Sequence, residues 1–167
     1  MRFALEVAAA VRVAVPSTMP PFWRVSAVDH DPQGLDIGDT VRVVAEIKKS
    51  GIDVIDTSSG GINGPIAQTN IPQYPGHQVA FCAEIRREGG IATMAVGLID
   101  DGAQAEEILT EDSADLVALG RELLADSALA YRAARALKIP SPERVLPLQF
   151  SFYLARREHA LSASKRQ

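Results

Sequence analysis

The stretch Ile91–Leu124, IATMAVGLIDDGAQAEEILTEDSADLVALGRELL, decides how the rest of the chain reads. Ile91–Val96 is a short apolar run, as expected of a buried strand, and it breaks at Gly97. Ala103–Leu109 reads as a short helix, and Asp115–Leu119 as a second strand that breaks at Gly120. Two strands that each end in glycine, with a helix between them, make a βαβ unit with a parallel pair. Backbone N–H groups just past such strand ends can hold an anion, and a helix N-terminus adds a favourable dipole. Arg121, directly after the second glycine, supplies a permanent, fork-shaped phosphate partner. Spacing alone leaves two readings of Gly97, Gly120 and Arg121. One is a phosphate clamp like those after strands 7 and 8 of TIM barrels. The other is a pair of turn glycines beside an arginine that caps a helix or faces water.

Working outward, the same alternation recurs. MRFALEVAAAVRVAVP at the start has Glu6 and Arg12 inside its apolar region, unlike a signal peptide. Phe3, Val7, Ala10, Val11 and Ala14 follow a helical period, so it reads as an amphipathic helix stopped by Pro16. Phe22–Val28 is a strand with Trp23, Val25 and Ala27 on one face and Phe22, Arg24 and Ser26 on the other. A charge amid a short apolar strand needs a partner. Arg24 either pairs with a neighbouring strand or faces an anionic or electron-rich ligand inside a barrel. Asp36 caps a helix running to about Ser50, with Ile37, Val41, Val44 and Ile47 on its packed side and Gly51 as its stop. Ile52–Asp56 is the next strand, and it opens into Thr57-Ser58-Ser59-Gly60-Gly61 at the strand end where α/β ligand sites lie.

Ile62–Gln78, with Pro65, Pro72, Pro75 and Gly76, has no clear period and reads as a loop over the active site. A helix covers roughly Val79–Glu88, with Cys82 packed rather than reactive. Thr93, Ala95 and Gly97 are small and share a strand face, which would leave room for a flat ligand. Helices follow to about Leu124 and from Ala128 to Leu137, and Phe150–Leu161 is a short helix or a docking tail. The rhythm is one α, then βα four times: an α/β fold with a parallel sheet.

Composition narrows the function classes. The 167 residues suffice for one domain with a real core, and the −4 net charge and pI near 5.4 give no overall field for nucleic acid or acidic membranes. No apolar run approaches the length of a membrane span. The single cysteine, Cys82, excludes an internal disulfide framework and points to the cytoplasm. His30, His77 and His159 lack metal-ligand spacing, and there is no G-x-S-x-G, H-E-x-x-H, Walker A or G-x-G-x-x-G. Glu106, Glu107, Glu111 and Asp112 read as a solvated face. What remains is ligand holding by Arg24, the Ser59–Gly61 loop, Gly97, Gly120 and Arg121, suited to a phosphate-bearing cofactor whose own chemistry does the work.

RFALEVAAAVR, FWRVSAVD, GIDVIDTSSGG, IATMAVGLI, QAEEIL and ADLVALGRELL occur in this order, and together they resemble the C-terminal half of the Old Yellow Enzyme family. The closest group is that of the bacterial NADPH dehydrogenase and xenobiotic reductase flavoproteins, and the match runs from Met1 to about Leu137, more weakly to Gln149. The resemblance implies non-covalent FMN and hydride transfer from NADPH (or NADH) to an activated alkene such as an enone. It also implies half of a TIM (β/α)8 barrel: residues 1–149 as strands 5–8 preceded by a helix, and 150–167 as a tail. By the same resemblance Arg24 lies at the flavin pyrimidine edge, Gly97, Gly120 and Arg121 hold the FMN phosphate, and Ser59 and Gly60 lie near the cofactor. The family's substrate-binding histidine pair and the loop at the flavin N5 edge belong to its first half and have no counterpart here. Two functional expectations follow: an FMN-dependent ene-reductase represented by its phosphate half, or a non-catalytic half-barrel that binds FMN or a partner only. In either case a homo-oligomer, or pairing with a separate N-terminal half, would cover the exposed sheet edges.

Overall fold

The computed structural model describes residues 1–60 and 71–164. In chain order the elements are α1 (Arg2–Ala14), β1 (Phe22–Ser26), α2 (Ile37–Lys49), β2 (Val54–Ser58), α3 (Val79–Gly89), β3 (Ala92–Ala95), α4 (Gly102–Thr110), β4 (Leu116–Val117), α5 (Arg121–Ala125), α6 (Leu129–Ala136) and α7 (Leu148–Ser164), with a 3₁₀ turn at Pro142–Val145. The strands form one parallel sheet in the order β1-β2-β3-β4. The α/β class read from the sequence is the one observed. Two compact units are distinguished: residues 1–99 with 107–119, and residues 100–106 with 120–167.

In the first unit, the pleat sorts side chains by face. Trp23 and Val25 of β1 and Ile55 of β2 meet a core built from Ala8, Ala27, Val44, Ile47, Ile52, Ile85 and Ile91. The helix α2 forms for reasons visible in its sequence. The Asp39 N–H donates to the Asp36 carboxylate at 2.8 Å, and the Asp36 N–H donates back to Asp39 at 3.3 Å, a reciprocal cap. Thr40, Val44 and Ile47 are its buried stripe, with Ile37 and Val41 packed alongside. It stops at Gly51 (φ 92°), which no other residue type fits easily: an added Cβ would lie 2.5 Å from Arg12 Cγ.

Three expectations need correction here. The face of α1 that packs is Ala4, Leu5 and Ala8, whereas Phe3 is 80% and Val11 40% exposed. The helix is therefore rotated from the face the large residues suggested. Strand β2 runs Val54–Ser58 rather than Ile52–Asp56. Parallel pairing with β1 sets Phe22 against Val54 and Ser26 against Ser58, and the ladder continues through Thr57 and Ser58 because backbone bonding does not depend on apolar side chains. Strand β4 is only two residues, although the Asp115 N–H donates to the Thr93 carbonyl at 3.0 Å and the Ala118 N–H to the Ala95 carbonyl at 2.8 Å, extending the pairing at both ends.

At the start of β4, Asp115 joins three elements. Both Arg86 Nε and Nη2 of α3 donate to it at 3.1 Å, and the backbone N–H of Thr93 donates at 2.9 Å. Burial pushes the Asp115 carboxyl up, but the Arg86 hydrogen bonds, the Thr93 N–H and the guanidinium charge together outweigh it and hold the group below its usual range. In the second unit, α7 is tied to α6 by Glu158, which accepts from the Tyr131 hydroxyl at 2.7 Å and also pairs with Arg135 and Arg157. The segment read as a short helix or docking tail is thus a 17-residue helix, with Leu148, Phe150, Phe152 and Tyr153 exposed.

Candidate functional site

The C-terminal ends of β1, β2 and β3 carry most of the residues singled out in the sequence. Arg24 lies in β1 opposite Asp56 in β2, and its Nη1 donates to Asp56 Oδ2 at 2.7 Å. Its side chain remains 58% exposed while that of Asp56 is 14% exposed. The pairing with a neighbouring strand is therefore present, and part of the guanidinium is left over for something else. Across the sheet the same row continues through Met94 and Leu116, the side away from the helix-packed core.

After β2 the chain stays stitched to β1. The Ala27 N–H donates to the Ser58 carbonyl at 2.7 Å, the Gly60 N–H to the Val28 carbonyl at 2.7 Å, and Ser26 Oγ to the Gly60 carbonyl at 3.1 Å. Ser59 is buried at this seam. Gly60 sits at φ 68°, and a Cβ there would lie 2.6 Å from Ile71 Cδ1, so the turn has no room for a side chain. Gly61 and most of the loop expected to cover the site fall at residues 61–70, outside the described residues.

The small face Thr93-Ala95-Gly97 does not leave room for a flat ligand. Thr93 and Ala95 are fully buried, and the Thr93 and Thr57 hydroxyls lie against the buried Cys82 thiol of α3. The small side chains let α3 sit close. Burial pushes the Cys82 thiol up, which leaves it a protonated, packed group rather than a nucleophile. Gly97 serves a second approach: a Cβ there would meet His77 Cε1 at 3.1 Å and Gln78 at 3.3 Å. Its φ is 126°, and Leu98, which follows, has φ 53°, uncommon for a branched residue. The Gly97 carbonyl accepts from the Gly76 N–H at 2.8 Å, while the N–H groups of Leu98 and Ile99 have no hydrogen-bond partner among the described residues.

Gly120 and Arg121 belong to the second unit. Gly120 is the N-cap of α5 with φ −106°, and nothing lies within 4 Å of an added Cβ. Neither space nor backbone conformation requires glycine there. Arg121 is exposed and has no ion pair among the described residues. The sites read from sequence are therefore two groups: Arg24, Ser59, Gly60 and Gly97 at the strand ends of the first unit, and Gly120 with Arg121 at the head of α5.

These groups can hold an anion and place a cation on a sheet face. The described residues contain no cluster of metal-ligating side chains, and no helix among them is long and apolar enough to cross a membrane. Sequence reasoning missed Asp56, His77 and Gln78. Asp56 becomes visible as Arg24's partner only when the β1–β2 register is known. His77 and Gln78 follow a Pro75-Gly76 turn at the start of α3, and that turn was a usable signal for residues presented at a helix head.

Within the first unit, the Leu98 and Ile99 N–H groups have no partner among the described residues, and Arg24 is half exposed on the sheet. Comparison with known proteins identifies the family. NADPH dehydrogenase of Geobacillus thermodenitrificans (strain NG80-2) is 49% identical over 125 residues, covering 74% of this chain and 36% of that protein. NADPH dehydrogenase of Geobacillus sp. (strain WCH70) is 47% identical over 136 residues, 81% of this chain and 38% of that one. NADPH dehydrogenase of Bacillus subtilis (strain 168) is 46% identical over 125 residues, with 74% and 36% covered. The chain spans a little over a third of the length of these relatives. Residues 1–139 match the profile of one family throughout, and the chain belongs to that NADH:flavin oxidoreductase / NADH oxidase family.

Proposed function

We propose that this chain is the FMN-phosphate-holding part of a flavin oxidoreductase of the ene-reductase type. Residues 1–149 correspond to the second half of a TIM barrel, with 150–167 as its tail. Bound FMN supplies hydride chemistry, from NADPH or NADH to an activated alkene such as an enone. Arg24 places positive charge at the pyrimidine edge of the flavin, where reduction adds negative charge, and Asp56 fixes the guanidinium while leaving part of it open. Ser59 and Gly60 shape the adjoining turn. Leu98 and Ile99 N–H groups beyond Gly97, and Arg121 beside Gly120, bind phosphate oxygens. The single packed cysteine suits a reducing cytoplasm.

The observation that carries this reading is the Gly97–Leu98 turn, which stores left-handed strain at the end of a central strand and leaves two N–H groups without a partner among the described residues. Titration of FMN into the purified chain, followed by flavin fluorescence, is the test. Saturable binding is expected, and Arg121→Ala should weaken it by about tenfold or more, since a charge-assisted contact contributes about 1.5–3 kcal/mol. Unchanged affinity in Arg121→Ala refutes the phosphate assignment.

The competing reading, a half-barrel that binds FMN or a partner chain without catalysis, is favoured by the sheet itself. Strands β1 and β4 each have one unpaired edge among the described residues, and Phe22 and Leu116 are 46% and 42% exposed. A second copy, or a chain carrying the first half of a barrel, would pair with those edges. Size-exclusion chromatography run beside an NADPH-oxidation assay separates the two readings.

A further inference from the structure

The turn entering α3 holds an imidazole whose hydrogen bonds can be counted. His77 Nδ1 lies 3.0 Å from the Tyr74 carbonyl oxygen, which can only accept. Its Nε2 lies 3.1 Å from the Gln78 side-chain amide. One orientation of that amide satisfies its other neighbours: the NH₂ donates to the Thr57 and Val96 carbonyls, each at 3.3 Å, and the amide oxygen faces His77 Nε2. The opposite orientation sets that oxygen against two carbonyl oxygens. In the satisfied orientation both ring nitrogens face acceptors, so both are matched only when both carry protons. A neutral ring leaves one lone pair against an oxygen.

The same ring is 7% exposed and has no carboxylate ion-paired with it among the described residues. None of the titratable groups in contact with it is a carboxylate paired with the ring among the described residues. Tyr74 presents its ring edge-on, 6.0 Å between centroids. Cys82, one turn along α3, is a protonated thiol. Asp56 precedes Thr57 in β2 but pairs with Arg24 on the other side of the sheet. A buried imidazolium thus has no paired counter-ion among the described residues, and such a charge is costly until one arrives. The ring abuts the backbone of Gly97, 3.1 Å from where a Cβ would stand, in the residue that precedes the Leu98 and Ile99 N–H groups.

We propose that His77 takes up a proton from solvent when a phosphate monoester binds at the Gly97–Leu98 turn, its imidazolium then serving as the buried counter-charge of the bound phosphate. This rests on the flavin-phosphate reading of that turn. No bond other than N–H forms: the proton adds to the bare ring nitrogen and the phosphate stays a dianion. Protonation and phosphate binding therefore favour each other reciprocally.

Calorimetric titration of FMN into the whole chain at about pH 8, in two buffers of different protonation enthalpy, tests this. Free FMN is then already a dianion, because its second phosphate ionisation lies near 6. The expected result is uptake of up to one proton per FMN, none with riboflavin, and none with His77→Gln, which should also bind FMN several-fold more weakly. FMN binding with the same heat in both buffers overturns the proposal, as does equal uptake by His77→Gln or with riboflavin. If His77→Gln does not fold, the contrast between FMN and riboflavin in the unaltered chain decides. Absence of any FMN binding instead overturns the flavin reading, and this proposal with it.

Discussion

Gly97→Ala separates what the turn after β3 requires from what its sequence suggests. At φ 126° an alanine is held in a region that L-residues avoid, and its Cβ would stand 3.1 Å from His77 Cε1 and 3.3 Å from Gln78 Cδ and Cγ. Backbone strain of this kind costs about 1–3 kcal/mol. The neighbours cannot simply swing away, because His77 is held by the Tyr74 carbonyl and Gln78 by Thr57 and Val96. A total of about 2 kcal/mol, with a urea dependence of about 2 kcal/mol per molar for a chain of this size, lowers the unfolding midpoint by about 1 M. Gly120→Ala is the internal control: φ is −106° and nothing lies within 4 Å of the new methyl, so its midpoint should move by about 0.25 M or less. Both midpoints are read by circular dichroism in urea. Equal losses from the two glycines would refute the reasoning, since sequence spacing alone treats them alike.

Other expectations follow from the same structure. Cys82 should resist thiol reagents in the native chain and react only on unfolding, because burial holds it protonated; rapid stoichiometric labelling would contradict its enclosure by Thr57 and Thr93. Asp115 has its carboxyl lowered in the fold, so its contribution is fully present above the unfolded value near 3.8 and is lost as pH falls through the lower folded value. Asp115→Asn should therefore flatten the acid limb of the stability curve, and an unaltered limb in acid titration followed by fluorescence would count against the Arg86 clamp. Tyr131→Phe removes the hydroxyl that donates to Glu158 and should speed hydrogen exchange in α7 without changing it in α2; unaltered exchange in α7 would show that the hydroxyl does not anchor it.

How much of this was legible follows from what kind of information each feature needs. Helix α2 was readable to the residue because its determinants are local: Asp36 and Asp39 cap it, Gly51 stops it, and one stripe packs. The α/β class was readable because alternating periods reveal it without any long-range contact. Strand β2 shifted by two residues because its ends are set by β1, through a register that no local pattern carries. The α1 face was misread because burial there favours small residues, whereas large apolar ones mark only what is free to pack. Arg24 shows the limit most clearly. Sequence posed a choice between a neighbouring carboxylate and a ligand, and in the fold the carboxylate takes one edge of a guanidinium that has more donors than one partner uses. A partner that restrains the fork without consuming it leaves the remaining donors open, so the ion pair with Asp56 satisfies the strand and is compatible with the ligand role proposed for Arg24.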